Sequence, residues 1–121
     1  MLLAEDVRIT RRLYEAVLSA AGAEVTSAAD GLAAFRTWEE ESMQGRPFDA
    51  AVVDYGLPFL NGAALAAMLR AEGFAGPLIG LTAGVGDAEA SLWTDCGCDA
   101  VLSKDLPRKE LVGRIAALSR W

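Results

Sequence analysis

Short apolar segments alternate along this chain with longer stretches of helical periodicity, and this alternation constrains the fold more than any other feature. The segment 50–53 contains no polar side chain and ends at Asp54, which is typical of a strand buried on both faces of a sheet. Further strands are predicted at 1–4, 24–28, 78–81 and 100–102. Strands that alternate with helices form parallel sheets covered on both faces. We therefore predict one α/β domain over residues 1–121, built as five βα units around a five-stranded parallel sheet.

Helices are predicted between these strands and after the last one. The first covers 8–21 and ends before Gly22, a short fourth helix begins at Asp87 and ends near Gly97, and the last begins at Arg108. The dipeptide Asp30-Gly31 is read as a turn before the second helix. The apolar positions expected to face the sheet are, in chain order, Ile9, Leu13, Val17 and Ala20; Leu32, Phe35 and Trp38; Leu65, Met68 and Leu69; and Leu111, Ile115 and Leu118.

The composition excludes several classes of chemistry. The chain has no histidine, so it holds neither a Ser-His-Asp system nor a histidine-ligated zinc site, and it cannot itself carry a phosphohistidine. Its two cysteines, Cys96 and Cys98, are too close for a CxxC motif and have no second pair. They are interpreted as small structural thiols in a reducing compartment.

The charge balance argues against polyanionic partners. A net charge of −6 disfavours binding of nucleic acid or of an anionic membrane surface by this domain. No apolar run approaches the ~18 residues that a membrane span needs, and two acidic residues interrupt the N-terminal run. The expected location is the cytoplasm.

Polar side chains stand where the predicted strands end. Parallel strands bring their carboxyl ends to one edge of the sheet, where open α/β folds bind ligands. The residues expected to meet there are Glu5, Asp6, Asp54, Thr82, Ser103 and Lys104.

This set of residues favours phosphoryl chemistry. Carboxylates 4 Å apart repel by ~4 kcal/mol at an effective dielectric near 20, so a proton or a cation must lie among them. All-oxygen donors favour a hard cation, Mg²⁺ first. Lys104 and Thr82 can hold the oxygens of a dianion, and Asp54 can attack phosphorus to give an aspartyl phosphate.

Four segments carry a specific family likeness, which covers essentially the whole chain. They are LLAED (2–6), VVDYGLPFLNG (52–62), IGLTA (79–83) and GCDAVLSKD (97–105), and together they resemble the receiver domain of response regulators. The resemblance implies a flavodoxin-like doubly wound fold, a three-layer sandwich. It also implies that Asp54 accepts a phosphoryl group from a phosphohistidine on a histidine kinase or histidine phosphotransfer protein.

The same resemblance implies roles for the other residues. Mg²⁺ would be held by Asp6, Asp54 and the backbone carbonyl of Gly56, with Glu5 acting largely through water. Thr82 and Lys104 would hold the phosphoryl oxygens. They would also couple phosphorylation to the surface formed by the predicted fourth and fifth helices and the fifth strand. The resemblance further implies that the domain catalyses its own dephosphorylation.

The chain departs from the family pattern at several positions. The residue three before the lysine is usually aromatic and is Val101 here, which puts the usual aromatic switch in doubt. A proline usually follows the lysine, and here Asp105 does. In relatives, bulkier side chains flank the path of the attacking water, where this chain has Gly56 and Gly84.

Other interpretations stay open at this stage. One is a degenerate receiver that binds partners without being phosphorylated. Another is a Mg²⁺-dependent aspartyl-phosphate phosphohydrolase, although the second aspartate that it needs is replaced by Gly56. The glycines at 84 and 86 make a poor dinucleotide fingerprint, since Glu89 replaces the third glycine. The LLAED segment favours the receiver of a hybrid histidine kinase over a stand-alone regulator.

Overall fold

The computed structural model describes residues 1–83 and 95–119, and these form five strands and four helices. The strands are β1 (Leu2–Ala4), β2 (Thr26–Ala28), β3 (Ala51–Asp54), β4 (Leu78–Thr82) and β5 (Ala100–Ser103). The helices are α1 (Arg8–Ala20), α2 (Gly31–Met43), α3 (Gly62–Ala71) and α4 (Arg108–Ser119). The predicted helix that begins at Asp87 lies outside the described residues. Among the described helices, none has the length and apolar character required to cross a bilayer.

The five strands form one parallel sheet in the order β2-β1-β3-β4-β5. β3 is the central strand with β4 beside it, and every residue in both is buried, as their largely apolar sequences require. The strand order changes direction between β1 and β3. The predicted doubly wound fold is confirmed, and its switch point places the carboxyl ends of β1 and β3 side by side.

Alternate residues of the strands serve two separate cores. On one face, Leu2 and Val53 pack with α2 and α3, where Trp38 and Leu65 are buried. The opposite core joins the other face of the strands to α1 and α4. Its buried members include Leu3, Tyr14, Leu18, Val52, Ile79, Leu81, Leu111 and Ile115. The two cores make the three-layer arrangement that holds the strand ends in place.

The predicted face of α1 is only partly right: Val17 packs against the core, whereas Ile9 and Ala20 are exposed. Ile9 is 82% exposed, and the buried residues of this helix are Tyr14 and Leu18. Leu32 in the first turn of α2 is also exposed rather than packed on the sheet. Apolar residues occur at more than one helical spacing in α1, and contact with the sheet selects the face that carries the tyrosine.

An arginine ties α3 to the amino-terminal edge of the sheet. The Arg70 guanidinium donates to the backbone oxygens of Phe74 (2.9 Å), Gly76 (2.8 Å) and Gly97 (2.9 Å) and to Asp99 Oδ2 (3.0 Å). The same Asp99 oxygen accepts from the N–H of Leu78 at 2.9 Å. Arg70 therefore joins the end of α3 to the segments that lead into β4 and β5.

Candidate functional site

The polar residues predicted to meet at the strand ends lie at the carboxyl edge of the sheet around the switch point, except Ser103, which ends the edge strand β5. Asp54 and Thr82 are the last residues of β3 and β4, Glu5 follows β1, and Lys104 follows β5. Glu5 is fully buried, Asp54 and Thr82 are nearly so, and Asp6 is exposed. Residues that the sequence places far apart thus line one recess at the carboxyl edge of the sheet.

Lys104 forms the centre of this recess. Its Nζ lies 3.0 Å from Asp54 Oδ1 and 3.0 Å from Glu5 Oε2, with Glu5 Oε1 at 3.3 Å. The backbone N–H of Lys104 donates to the Thr82 carbonyl oxygen at 2.8 Å, which fixes the start of the side chain beside β4. One ammonium therefore bridges two buried carboxylates that would otherwise repel each other.

Burial and charge change the proton affinity of this cluster. Burial is the largest cause of a raised pKa at Glu5, and the charge of Asp54 raises it further, while the hydrogen bond from Lys104 partly offsets both. Burial alone would lower the pKa of Lys104, but its hydrogen bonds to Glu5 and Asp54 outweigh burial and leave that pKa raised. The folded state thus keeps the lysine charged and makes Glu5 easier to protonate than a solvated glutamate.

Three carboxylates of the recess are arranged as a hard cation requires. Glu5, Asp6 and Asp54 each offer one oxygen, and these oxygens all lie within 4.8 Å of one another. All the donors are carboxylate oxygens, which suits Mg²⁺ or another hard divalent cation. The donor set therefore fits the metal that the sequence predicts.

Gly56 leaves this side of the recess open. It is exposed, two residues beyond Asp54, and a Cβ built on it would lie 3.9 Å from Asp54 Oδ2. That distance is ordinary van der Waals contact, so the backbone has room for a side chain here. The other glycine singled out for this role, Gly84, lies outside the described residues.

Arg11 is a part of the site that the sequence analysis missed. Its Nη1 donates to the backbone oxygens of Glu5 (3.1 Å) and Asp6 (3.4 Å), so α1 holds the main chain that carries the two acidic residues. Long side chains in a helix point back towards its amino end, so an arginine in the first turn of α1 can reach the residues before the helix. This is the one signal in the sequence for the contact.

The loop after β3, residues 55–62, is closed by backbone hydrogen bonds. The Gly62 N–H donates to the Tyr55 oxygen at 3.0 Å, and Leu60 N–H donates to the Pro58 oxygen at 2.8 Å. Asn61 caps α3 by accepting from the Ala64 N–H at 2.9 Å. These bonds fix the conformation of the loop beside Asp54.

The start of α2 supports this loop from the side. The Gly31 N–H lies 3.5 Å from the Pro58 oxygen, and a Cβ at Gly31 would lie 2.0 Å from the Leu60 oxygen. Asp30, expected to form a turn with Gly31, instead caps α2 by accepting from the Ala33 N–H at 2.7 Å. The close approach of helix and loop therefore requires glycine at this position.

The remaining residues singled out from the sequence lie around or away from the recess. Val101 is half-buried and packs against the core under α2 and α3. Asp105 is exposed, and its N–H donates to Ser103 Oγ at 3.1 Å. Burial raises the pKa of the Cys98 thiol to about 12, which fits the structural role expected of the cysteines.

Comparison with known proteins places these features in a family context. Residues 1–116 match the family model described as the response regulator receiver domain. The chain is 31% identical over 124 residues to the alkaline phosphatase synthesis transcriptional regulatory protein SphR of Synechococcus elongatus, covering 99% of this chain and 48% of SphR. It is 31% identical over 117 residues to the sensor protein TorS of Escherichia coli, covering 97% of this chain and 12% of TorS.

The fold has solved counterparts of the same kind. The receiver domain of the Francisella response regulator 1452 superposes with a TM-score of 0.85 at 25% identity, covering 98% of this chain and 94% of that one. The chain spans about half the length of SphR and far less of TorS. The likeness therefore concerns one receiver-sized unit within longer relatives.

Proposed function

Because this chain belongs to the response-regulator receiver domain family, whose members accept a phosphoryl group in two-component signalling, we propose that Asp54 is its phosphoacceptor. One observation carries the assignment. Asp54 ends the central strand β3 at the switch point, with the Lys104 ammonium 3.0 Å from its Oδ1. The donor is a phosphohistidine on a histidine kinase or a histidine phosphotransfer protein, and this chain has no histidine of its own.

The transfer is a displacement at phosphorus. A carboxylate oxygen of Asp54 forms the new O–P bond while the N–P bond to the donor imidazole breaks, and the imidazole leaves with that electron pair and takes up a proton. Lys104 is placed to neutralise charge on the phosphoryl oxygens, and the Thr82 hydroxyl at the end of β4 is the second group assigned to them. Glu5, fully buried beside Lys104, orients the ammonium towards Asp54.

We assign the metal site to Asp6, Asp54 and the backbone carbonyl of Gly56, with Glu5 acting through water. The support is the cluster of three carboxylate oxygens within 4.8 Å of one another. Bound Mg²⁺ would supply positive charge for the oxygens of the transferred group. Asp6, the exposed member, is the residue best placed to receive the ion from solvent.

Labelling by a small phosphodonor tests these assignments. In acetyl phosphate and Mg²⁺, the intact mass should rise by one phosphoryl group. Asp54→Asn and Asp6→Asn should abolish the gain, and a chelator should do the same to the wild type. The matched control is Asp49→Asn, which changes an exposed aspartate before the opposite end of β3 and should label normally.

The possible results test the assignment of Asp54 as acceptor and the role of the metal separately. Undiminished labelling of Asp54→Asn would overturn the acceptor assignment, and labelling in chelator at the wild-type rate would overturn the metal role. A folded wild type that takes no label would favour a receiver that binds partners without being phosphorylated.

The wider setting of the domain is also a proposal. We propose that residues 1–121 form a single receiver domain working in the cytoplasm, which hydrolyses its own aspartyl phosphate and binds no nucleic acid itself. The net charge of −6 supports the last point. We favour the receiver of a hybrid histidine kinase over a stand-alone regulator, on the LLAED form of the acidic segment.

A further inference from the structure

Phe59 lies beside the acceptor in a conformation and an environment that both disfavour phenylalanine. Its φ is 67°, and among the described residues it alone has a positive φ without being glycine. Its side chain is 84% exposed, so core packing does not explain the ring. A left-handed backbone favours glycine or asparagine, and a bulky residue there indicates a constraint other than folding.

The loop holds this ring outward in a fixed position. Pro58, the preceding residue, accepts the backbone bond from Leu60 and lies against the N–H of Gly31 at the start of α2. The contact between Gly31 and Leu60 leaves no space for the loop to move towards that helix. Phe59 is therefore presented to solvent by a supported backbone.

A second exposed apolar group lies where the neighbouring loop enters α1. Val7 and Ile9 follow the acidic pair after β1, and they are 50% and 82% exposed. Since β1 pairs with β3, the loops that follow these strands are neighbours around Asp54. Exposed apolar side chains thus occur on the loop after β3 and at the start of α1, on both sides of the acceptor; we call Val7, Ile9 and Phe59 the apolar rim.

The burial of the Asp54 side chain indicates which kind of partner contacts the apolar rim. The Asp54 side chain is only 8% exposed, so a donor atom must enter a recess to reach it. The side chain of the donor's phosphohistidine is short, so the donor backbone that carries it must contact the surface around Asp54. Arg8 and Arg12 are exposed on α1 in a chain of net charge −6, so this part of the surface favours an acidic partner.

We propose that Phe59 is a docking residue for the protein that donates the phosphoryl group. It contacts apolar side chains that surround the phosphohistidine on the donor surface, while acidic side chains of the donor face Arg8 and Arg12. The inference rests on the proposed function, and it assigns Phe59 to recognition of the protein donor and not to the chemistry at Asp54.

Two kinds of phosphodonor distinguish recognition of the donor protein from phosphoryl transfer to Asp54. Acetyl phosphate has no protein surface, whereas a panel of purified histidine phosphotransfer domains charged with phosphate presents one. Phe59→Gly suits the left-handed backbone and removes the ring, and Phe59→Asn is a second variant that the same backbone accepts. The matched control is Met43→Ser at the end of α2, where the native side chain is 83% exposed and away from the strand ends.

We expect both Phe59 variants to label with acetyl phosphate at the wild-type rate. Their rate of transfer from the fastest protein donor of the panel should fall at least ten-fold, and Ile9→Ser should lower it as well. Met43→Ser should leave both rates unchanged.

Each other result counts against the proposal. Unchanged transfer from the protein donor to Phe59→Gly would overturn it, as would an equal loss in Met43→Ser. Slower labelling of the Phe59 variants by acetyl phosphate would assign the ring to the chemistry instead. A wild type labelled by acetyl phosphate but by no protein of the panel would refute docking on this rim, whereas failure with acetyl phosphate would refute the proposed function.

Discussion

Replacing Lys104 by methionine isolates the electrostatic role of the ammonium that lies between two buried carboxylates. The variant keeps a side chain of similar length and removes the charge that lies 3.0 Å from both Glu5 and Asp54. The two carboxylates, whose donor oxygens lie within 4.8 Å of each other, then face one another without compensation. The variant should therefore unfold more easily at neutral pH.

The size of the loss follows from the distances. At an effective dielectric near 20, each 3.0 Å attraction is worth about 5.5 kcal/mol, and the repulsion of carboxylate oxygens within 4.8 Å of each other is at least about 3.5 kcal/mol. Removing the lysine also relieves the cost of burying its ammonium, so the net loss is smaller than the sum of the two attractions. Removal of one partner of a buried ion pair typically costs about 3–5 kcal/mol, and we expect about 3 kcal/mol here because the lysine is 22% exposed.

Acid should reverse much of this loss. Burial raises the pKa of Glu5 in the folded state above its ordinary value of 4.5, and the variant loses the lysine hydrogen bond that lowers it. A raised folded-state pKa means that protonation of Glu5 stabilises the folded state. This stabilisation is fully present below pH 4.5, the ordinary pKa of the group, and is lost as the pH rises through the pKa of Glu5 in the folded state. The deficit of Lys104→Met should thus be largest at pH 7 and smaller near pH 4.5.

Urea unfolding in chelator, at both pH values, measures the effect. Lys109→Met is the matched control, because Lys109 is the other lysine of the chain and is exposed on the first turn of α4. Mg²⁺ added to Lys104→Met at pH 7 should recover part of the lost stability by placing positive charge among the carboxylates. A deficit that is the same at both pH values, or no greater than that of the control, would refute the electrostatic account.

Two further predictions concern the opening at Gly56 and the contacts of Arg70. Gly56→Asn should release phosphate from the phosphorylated chain several-fold faster, because the new amide can orient water beside Asp54; unchanged release after removal of acetyl phosphate would contradict this. Arg70→Met should lower the free energy of unfolding by about 2–3 kcal/mol, since it leaves Asp99 and three backbone oxygens without their guanidinium donor; an unchanged urea midpoint would refute it.

The sequence predicts the strand ends of this protein well, and the reason is geometric. Asp54 and Lys104 each follow an apolar run, and a parallel sheet brings such positions to one edge whatever the details of packing. The periodicity of the sequence carries no information on strand order, and the family likeness implies only a flavodoxin-like doubly wound fold; the pairing of β1 with β3 is given by the structure. The assignment of roles to these residues stays a prediction until labelling tests it.

The side chains that the sequence did not place correctly depend on tertiary contacts. Ile9 has the spacing of a core residue, but the sheet contacts the turn of α1 that carries Tyr14. Arg11 reaches two backbone oxygens through a rotamer that no local pattern specifies. Phe59 has a backbone conformation set by the hydrogen bonds of its loop, and Pro58 before it predicts a turn without its handedness.

The contact between Gly31 and Leu60 has a consequence for chimeric proteins. A side chain at position 31 would place its Cβ 2.0 Å from the Leu60 oxygen, so the loop 55–62 is compatible only with a helix that begins on glycine. A graft of this loop into a relative with a larger residue at that point would push the backbone next to Asp54 out of position. Exchange of the acceptor loop between receivers therefore needs two segments moved together, the loop and the first residue of α2, although they are distant in the sequence.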